Sequence, residues 1–310
     1  MGTEKIYHKS LKLMGNRFQL SVMSDREDRA YECIDGGICE IQRIEKLLTT
    51  FNEESETALI NRYAGIKPVK VSEETFSIIE RSIRISRVTQ GAFDITYGSV
   101  DKRLWNFDIS LRSLPDKNTA KKMAGLINYR NILLDKTNST VMLKEQGMRI
   151  GFGGIGKGYA AERAKLIMKG MGIKSGIVNA AGDMTTWGFQ PDGKPWTIGI
   201  ADPNSKDKIF SYMDITDMAV ATSGNYEKYI LINGKKYSHT INPKTGLPIT
   251  GIKSVTIISP NAEIADAMAT PVMIMGIVPG LNMINQMNGI EAILVDDNDN
   301  VYASSNIHFN

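Results

Sequence analysis

Residues 150–162 constrain this chain more than any other stretch. They hold five glycines within the eight residues 151–158 and run directly into a helical pattern. Glycine allows the backbone to take positive φ and to approach a ligand closely. The first amides of a helix have no partner within the helix, so they point at whatever binds there. Lys157 adds a positive charge at the same end. The stretch therefore predicts a site for a phosphate or a pyrophosphate.

Neither common nucleotide-binding loop fits these residues. A P-loop needs a lysine followed by Ser or Thr, whereas Lys157 is followed by Gly158 and Tyr159. A Rossmann unit needs a strand–helix–strand pattern with an acidic residue at the end of its second strand, and no such pattern is evident. A glycine-rich loop that only joins a strand to a helix is the alternative interpretation.

Composition sets the class of protein. The 310 residues are 42% hydrophobic and 23% charged, which is ordinary for a globular protein. This length predicts a single domain over residues 1–310, or two intimately joined lobes. A net charge of +3 without a basic tract argues against nucleic-acid binding. Cys33 and Cys39 share a helical pattern in which they point apart, so we expect free thiols that fill apolar space.

Periodicity predicts the elements that carry the candidate residues. Residues 10–23 alternate like a half-buried strand, and the glycine after Met14 indicates a kink or bulge within it. Apolar residues at helical spacing predict a helix over residues 28–48. Ser72 is typical of a helix N-cap, because Glu73 and Glu74 follow it in the first turn.

Two carboxylates stand beside irregular segments. Residues 91–96 fit neither period and predict a loop, in which Asp94 serves as a cap or contacts a ligand. Residues 176–180 predict a buried strand, and Asp183 is expected just past its end.

Four further side chains are candidates for a site. Phe51 follows a helix at a polar turn, where an aromatic ring stacks on a ligand or closes the core. His239 lies on the second strand of a predicted hairpin, residues 236–241, and is either structural or catalytic. Asp266 and Thr270 lie four residues apart on one face of a predicted helix. Carboxylate and hydroxyl oxygens suit Mg²⁺ when phosphate and water complete its shell, and a polar helix face is the alternative.

Together these stretches resemble the ApbE-like family, the FAD:protein FMN transferases, from about Met14 to Gly276. The resemblance rests on motifs that occur in the order of the family: Met14-Gly15-Asn16, Ser55 to Asn61 with Phe51 upstream, G-A-F-D-I-T at 91–96, the glycine stretch, Asn179 to Asp183, T-S-G at 222–224, His239 to Gly246, and A-D-A-M-A-T at 265–270.

The resemblance implies an α+β fold, with a mixed, largely antiparallel sheet packed by helices and FAD in a cleft. It also implies a reaction in which FAD is cut at its pyrophosphate, AMP leaves, and FMN is attached to a threonine hydroxyl of an acceptor redox protein. Mg²⁺, with Mn²⁺ as the alternative, would be held by the Gly154 carbonyl, Asp266 and Thr270. The implied FAD contacts are Met14, Phe51, Ala92, Phe93, Asp94, Lys157 and Ile241.

Elementary chemistry agrees with that reaction. Phosphoryl transfer needs charge neutralisation and in-line positioning more than covalent chemistry, and Lys157 with Mg²⁺ would offset the charge of the pyrophosphate. A threonine hydroxyl is a weak nucleophile, so we expect a base nearby. His239 is the first candidate and Asp183 the second.

Three of the departures from the family pattern bear on the site. Gly151 replaces an aspartate that contacts FAD in the family, Ala181 replaces a glycine and Asn242 an aspartate. A Mg²⁺-dependent FAD pyrophosphatase and a non-enzymatic FAD-binding or storage protein are the alternative functions. The resemblance also implies export across the inner membrane, which is usual in the family, a lipid anchor, which is common in it, and acceptors that belong to membrane electron-transport complexes. The expected location is therefore the periplasmic side of the inner membrane, with such a complex supplying the acceptor.

Overall fold

The computed structural model describes residues 4–104, 113–201, 209–225, 229–232, 234–238 and 240–307. In these ranges the helices are α1 (Glu27–Leu48), α2 (Glu56–Arg62), α3 (Glu73–Val88), α4 (Lys117–Met123), α5 (Gly156–Gly170), α6 (Ala262–Met275) and α7 (Ile277–Ile284). The strands are β1 (Lys5–Leu13), β2 (Asn16–Ser24), β3 (Val69–Lys70), β4 (Ile132–Asp135), β5 (Thr140–Leu143), β6 (Gly176–Ala180), β7 (Asp183–Trp187), β8 (Trp196–Ala201), β9 (Ile209–Ile215), β10 (Ala219–Gly224), β11 (Tyr229–Ile232), β12 (Lys235–Ser238), β13 (Ile252–Ser259), β14 (Glu291–Asp296) and β15 (Val301–Ala303).

The largest sheet has eight strands in the order β1-β2-β6-β7-β10-β13-β14-β15. Smaller sheets are β3-β5-β4, β8-β9 and β11-β12. Every pairing between the described strands is antiparallel. The predicted α+β class with a largely antiparallel sheet is therefore confirmed.

Helices α1, α5 and α6 cover one face of the large sheet and enclose the main core. The helical pattern predicted for residues 28–48 is confirmed, because Ile34, Ile41 and Ile44 on α1 have no exposed surface. Helix α6 packs against β10 and β13, and α5 lies between α1 and α6. This packing sets the N-terminus of α5 beside the first turns of α6, where Gly158 lies against Ala262 and Asp266.

The opposite face of the sheet is covered by the β8-β9 ribbon. Ile198 and Ile215 of that ribbon pack with Val220, Ile258 and Ile293 of the large sheet. Strand residues alternate between faces, so the neighbours of these three residues point into the helical core instead. None of the helices in the described ranges is both long and apolar enough to cross a membrane.

Two tight turns correct the expectations for the strands. Residues 10–23 form parts of two strands, because Met14 and Gly15 take φ of 49° and 74° and reverse the chain into a hairpin. Ala181 and Gly182 make a second such turn with φ of 56° and 99°. Asp183 is therefore the first residue of β7, paired with Ala180, rather than a residue beyond the sheet.

Local capping follows the sequence more closely. The Ser72 hydroxyl accepts a hydrogen bond from the Thr75 amide at 3.2 Å, as an N-cap does. Asp94 similarly caps a short 3₁₀ helix, Ile95–Ser99, which begins within residues 91–96, the stretch that was expected to be a loop. Both cysteines are free, but only Cys33 is buried, whereas Cys39 is exposed. The expectation that both thiols fill apolar space is therefore wrong for Cys39, which lies on the outer side of α1.

Candidate active site

The glycine stretch runs along an opening in the protein surface. Its five glycines all lie in the described part of the chain, and none has a positive φ. Conformational freedom therefore does not explain them. A Cβ at Gly153 would meet no atom within 4 Å, and one at Gly151 would meet only the Thr50 methyl at 4.0 Å. A Cβ at Gly158, by contrast, would lie 2.1 Å from the Ala262 carbonyl oxygen. The first two glycines keep space open, and Gly158 permits close packing of α5 on α6.

Two cavities flank this stretch and share Gly151 and Gly153 as lining. The first, which we call the Phe93 cavity, has a volume of about 390 Å³ and is also lined by Phe93, Gly154, Tyr97 and Thr270. The Phe51 cavity, of about 440 Å³, lies on the other side and is lined by Met14, Thr50, Phe51 and Lys157. Together they form an elongated site divided by the glycine backbone.

The predicted flavin contacts fall into two groups. Ala92, Phe93 and Asp94 line the Phe93 cavity, while Met14, Phe51 and Lys157 line the Phe51 cavity. Phe51 is 98% exposed, so its ring is not used to close the core. Ile241 lines neither cavity. It is buried, and its amide donates a hydrogen bond to the Tyr97 hydroxyl at 3.1 Å.

Asp94 uses both carboxylate oxygens within the protein. Oδ1 accepts from the Thr96 amide at 2.8 Å and from the Thr96 hydroxyl at 2.6 Å, and Oδ2 accepts from the Tyr129 amide at 2.8 Å. Burial raises the pKa of Asp94, whereas these three bonds lower it. The residue lines the cavity, but its carboxylate holds the loop in place.

Lys157, Asp183 and Asp266 meet at the N-terminus of α5. The Lys157 ammonium contacts the Asp183 carboxylate and lies 3.9 Å from Oδ1 of Asp266. Asp183 Oδ1 accepts from the Thr222 amide at 3.2 Å, and Asp266 Oδ2 accepts from the Gly158 amide at 2.9 Å. Burial raises the pKa of Asp266; Lys157 opposes this shift and Asp183 adds to it. One ammonium thus faces two buried carboxylates, an arrangement that favours a further cation.

The residues predicted to hold a metal lie beside this cluster. Gly154 and Thr270 line the Phe93 cavity, and Asp266 is one turn before Thr270 on α6. The Thr270 hydroxyl is 2.8 Å from that of Ser223 on β10. Across the described ranges, no three His, Cys, Asp or Glu side chains converge to hold a metal alone. A metal here would need hydroxyl, main-chain and substrate oxygens, and such a donor set fits Mg²⁺.

Four single residues remain: the two candidate bases and two residues near the cavities to which the sequence assigned no role. His239, the first candidate base, lies outside the described residues. Asp183 is buried, with both carboxylate oxygens engaged as described above. Sequence reasoning missed Tyr97, which follows the G-A-F-D-I-T motif by one residue and lines the Phe93 cavity. It also gave no role to Ser223, although the T-S-G motif contains it.

Comparison with known proteins identifies the family. The model of the ApbE family matches residues 14–294. The chain belongs to the ApbE family.

Its relatives in that family are flavin transferases. It is 31% identical over 307 residues to a FAD:protein FMN transferase of Klebsiella pneumoniae, covering 98% of this chain and 94% of that protein. The ApbE protein of Thermotoga maritima superimposes with a TM-score of 0.86 at 30% identity, covering 97% of both chains. The apo flavinyl transferase ApbE of Pseudomonas stutzeri gives 0.82 at 25% identity over 97% of this chain and 94% of the other. The family and enzyme class expected from the sequence are confirmed.

The departures from the ApbE pattern have distinct structural consequences. Ala181 occupies the left-handed region, where the family's glycine is free of strain. Asn242 keeps a capping role, because its Oδ1 accepts from the Lys244 amide at 2.9 Å just as an aspartate would. Gly151 leaves open space where the family has a carboxylate.

Proposed function

We propose that this ApbE protein transfers FMN from FAD to a threonine hydroxyl of an acceptor protein and releases AMP. The observation that carries the proposal is the pair of cavities on either side of the open glycine stretch. Thr270 of α6 lines the Phe93 cavity, and Asp266 of the same helix lies 3.9 Å from Lys157, which lines the Phe51 cavity. A dinucleotide has two bulky ends joined by a pyrophosphate. The Phe93 and Phe51 cavities would take the ends, and the glycine backbone would run beside the phosphates.

The reaction breaks one bond and forms one bond at phosphorus. The threonine oxygen attacks the phosphorus of the FMN half, the bond to the AMP phosphate breaks, and AMP leaves with the electron pair. The hydroxyl proton passes to a base, for which we propose His239 from the sequence. Asp183 suits this role less, since Lys157 and the Thr222 amide already engage its oxygens.

The charges around the site would support this step. Asp266, Thr270 and the Gly154 carbonyl would hold Mg²⁺, which when bound offsets negative charge on the pyrophosphate. Asp183 and Asp266 hold the Lys157 ammonium at the start of α5, so the lysine side chain is oriented rather than freely rotating. The amides that begin α5 add further positive potential at that end.

The test is a mass spectrum of a threonine-bearing acceptor domain after incubation with the protein, FAD and Mg²⁺, with AMP assayed in parallel. We expect an added mass equal to an FMN phosphoryl group, and its loss with EDTA or with Asp266→Asn. That variant retains an oxygen that can accept from the Gly158 amide while removing the charge. AMP without the adduct would point to the pyrophosphatase, and FAD binding without either product to a storage protein.

His239→Ala tests the base separately. We expect FAD binding to persist while the rate of transfer falls by about 10²-fold or more. Transfer at the wild-type rate would show that the base is another group.

The acceptor and the location follow from the family resemblance. We propose a redox protein of a membrane electron-transport complex as acceptor, and the periplasmic side of the inner membrane as the place of transfer. Labelling with flavin in cells, followed by separation of membrane and soluble fractions, tests both. A flavinylated product confined to the cytoplasm would contradict the proposed location.

A further inference from the structure

A third cavity, of about 730 Å³, lies between α3 and β4 and is distinct from the two cavities of the active site. We call it the arginine groove, because Arg84, Arg87 and Arg130 line it. Glu80 is the single carboxylate among its lining residues within the described ranges. Three guanidinium groups against one carboxylate leave the groove with surplus positive charge.

These arginines are only partly neutralised. Arg84 pairs with Glu80 at 2.9 Å, and 66% of its side chain is exposed. The Arg130 guanidinium stacks over the Tyr129 ring, with its carbon 5.2 Å from the ring centre. Arg87 is exposed, and the described residues offer it no ion pair. The groove therefore presents positive charge to solvent and to any ligand that enters it.

One wall of the groove is the open edge of a sheet. Strand β4 is the outer strand of the β3-β5-β4 sheet. The Lys144 amide donates to the Asn131 carbonyl at 2.9 Å, so in this antiparallel register Leu133 also bonds towards β5. The main-chain groups of Leu134 then face away from β5, whereas the Ile132 amide, which faces the same way, donates to the Tyr129 carbonyl. Such an edge accepts an additional extended strand.

The groove lies next to the proposed reaction site. Tyr129, which lines the groove, donates its amide to Asp94 at 2.8 Å, and Asp94 lines the Phe93 cavity. Helix α3 forms the other wall and ends at Val88, shortly before the segment that carries Ala92 and Phe93. One short segment of chain thus separates the groove from the Phe93 cavity.

We infer that the arginine groove binds an acidic, extended segment of the acceptor protein and so presents the acceptor to the active site. This inference rests on the proposed function, since it assumes a protein acceptor. The guanidinium groups select acidic side chains, and the open edge of β4 supplies main-chain hydrogen bonds to a strand. Neither feature contacts the cavities proposed for FAD.

The first test compares the acceptor dependence of three variants. Arg87→Glu combined with Arg130→Glu should raise KM for the acceptor about tenfold or more and leave KM for FAD unchanged. Glu80→Gln should change KM for the acceptor in the opposite direction, because it removes the competing carboxylate. Lys169→Glu is the matched control: like Arg87 it is an exposed base in the last turn of a helix, but it lies on α5 away from the groove.

The second test does not depend on catalysis. A fluorescein-labelled decapeptide of alternating Glu and Val should bind the wild-type protein, as measured by anisotropy, and bind the double variant about tenfold more weakly. The corresponding Lys-Val peptide should bind neither.

The outcomes separate the inference from the proposed function. Transfer by the wild type with an unchanged KM in the double variant, or with an equal change in Lys169→Glu, would overturn the inference alone. Equal binding of the acidic peptide to wild type and double variant would do the same. Failure of the wild type to modify any acceptor would overturn the proposed function, and with it the role of the groove.

Discussion

At the scale of single residues, the turn at Ala181 places an alanine in a conformation that suits the glycine of the family pattern. Ala181 has φ of 56°, in the left-handed region that costs an alanine about 1 kcal/mol. The Asn179 side chain holds the turn, because its Oδ1 accepts a hydrogen bond from the Gly182 amide at 2.8 Å. This local hydrogen bond therefore keeps Ala181, two residues before Asp183, in its strained conformation.

Replacing Ala181 by glycine should stabilise the protein. We expect a gain of about 0.5–1 kcal/mol in the free energy of unfolding, because relief of the left-handed strain exceeds the added entropy of the unfolded chain. Urea unfolding monitored by circular dichroism measures it. Ala58→Gly, within helix α2, should have the opposite sign. A loss of stability in Ala181→Gly would contradict the strained turn.

Gly151 offers a direct test of the missing family carboxylate. A side chain fits there, since the nearest atom to a built Cβ is 4.0 Å away. We expect Gly151→Asp to fold normally and to bind FAD roughly fivefold more tightly through one regained hydrogen bond. Quenching of flavin fluorescence gives the dissociation constant. Gly153→Asp, also unobstructed but without a family aspartate, should weaken binding. Equal effects of both substitutions on the dissociation constant for FAD would show that an aspartate at position 151 makes no specific contact.

At the scale of elements, the contact between α5 and α6 determines the geometry of the charged cluster. Gly158 lies against the Ala262 carbonyl, and its amide donates to Asp266 at 2.9 Å. The two helices therefore approach closely where Asp266 and Lys157 face each other. A wider spacing would separate the groups proposed to hold the metal and the phosphates.

A methyl group at position 158 should push these helices apart. We expect Gly158→Ala to lose about 3 kcal/mol of stability, since its Cβ would lie 2.1 Å from a main-chain oxygen that cannot rotate away. FAD binding should fall as well. Gly170→Ala at the end of the same helix, where nothing lies within 4 Å of a built Cβ, is the control and should be neutral or stabilising. Chemical unfolding measures the stability of both variants, and an equal stability of the two would contradict the proposed clash at position 158.

Helices α1, α3 and α5 are also joined by an ionic network. Arg43 on α1 bonds Glu40 at 2.8 Å and Glu74 on α3 at 2.7 Å, and Glu74 accepts from the Tyr159 hydroxyl on α5 at 2.6 Å. The Arg43 guanidinium holds the pKa of Glu74 below its ordinary value of 4.5. Because the folded-state pKa is lowered, this stabilisation is present above pH 4.5 and is lost as pH falls through the folded-state pKa.

Glu74→Gln should reveal that dependence. At pH 7 we expect a loss of about 1–2 kcal/mol. This is less than for a fully buried pair, because 46% of the Arg43 side chain and 24% of the Glu74 side chain are exposed to solvent. The difference from wild type should shrink as the pH falls below 4.5, because Glu74 is then protonated in the unfolded chain first and in the folded protein at lower pH. Unfolding in urea across this range measures it. Glu80→Gln is the control, because it removes a carboxylate from the same helix whose pair with Arg84 is more exposed. A difference that does not change with pH would exclude the ionic explanation.

At the scale of the whole molecule, the proposed site draws on segments far apart in the chain. The β1-β2 turn, the end of α1, the loop before the 3₁₀ helix, the glycine stretch and α6 all border the two cavities. A ligand that spans both cavities would join these segments. Its binding should therefore stabilise the fold as a unit.

Thermal unfolding tests that linkage without measuring activity. FAD with Mg²⁺, at about a hundred times the dissociation constant, should stabilise the protein by about 2.7 kcal/mol. EDTA should remove the metal-dependent part of this stabilisation. Asp266→Asn should lack the same part, although FAD should still stabilise the variant to a smaller extent. A full metal-dependent shift in Asp266→Asn would exclude Asp266 as a ligand. ADP, which lacks the isoalloxazine ring, is the control and should give a smaller shift.

The sequence by itself determined the family, the fold class and most helices. Motifs are local in the chain, and an amphipathic segment such as residues 28–48 carries its own periodicity, so one sequence is enough to predict them. The two hairpin turns were missed in part because neither Met14 nor Ala181 is a usual residue for positive φ. The sequence also named Lys157, Asp183 and Asp266 without showing how they are arranged.

Only the tertiary structure decided that arrangement. Lys157 and Asp266 are far apart in the chain and meet because α5 packs on α6 across a glycine, while β7 brings Asp183 to the same point. The structure likewise showed that Asp94 uses its carboxylate to hold a loop, and that one short segment of chain separates an arginine groove from the Phe93 cavity. The physical reason is that contacts between distant segments depend on strand order and helix packing, which no local pattern in the sequence encodes.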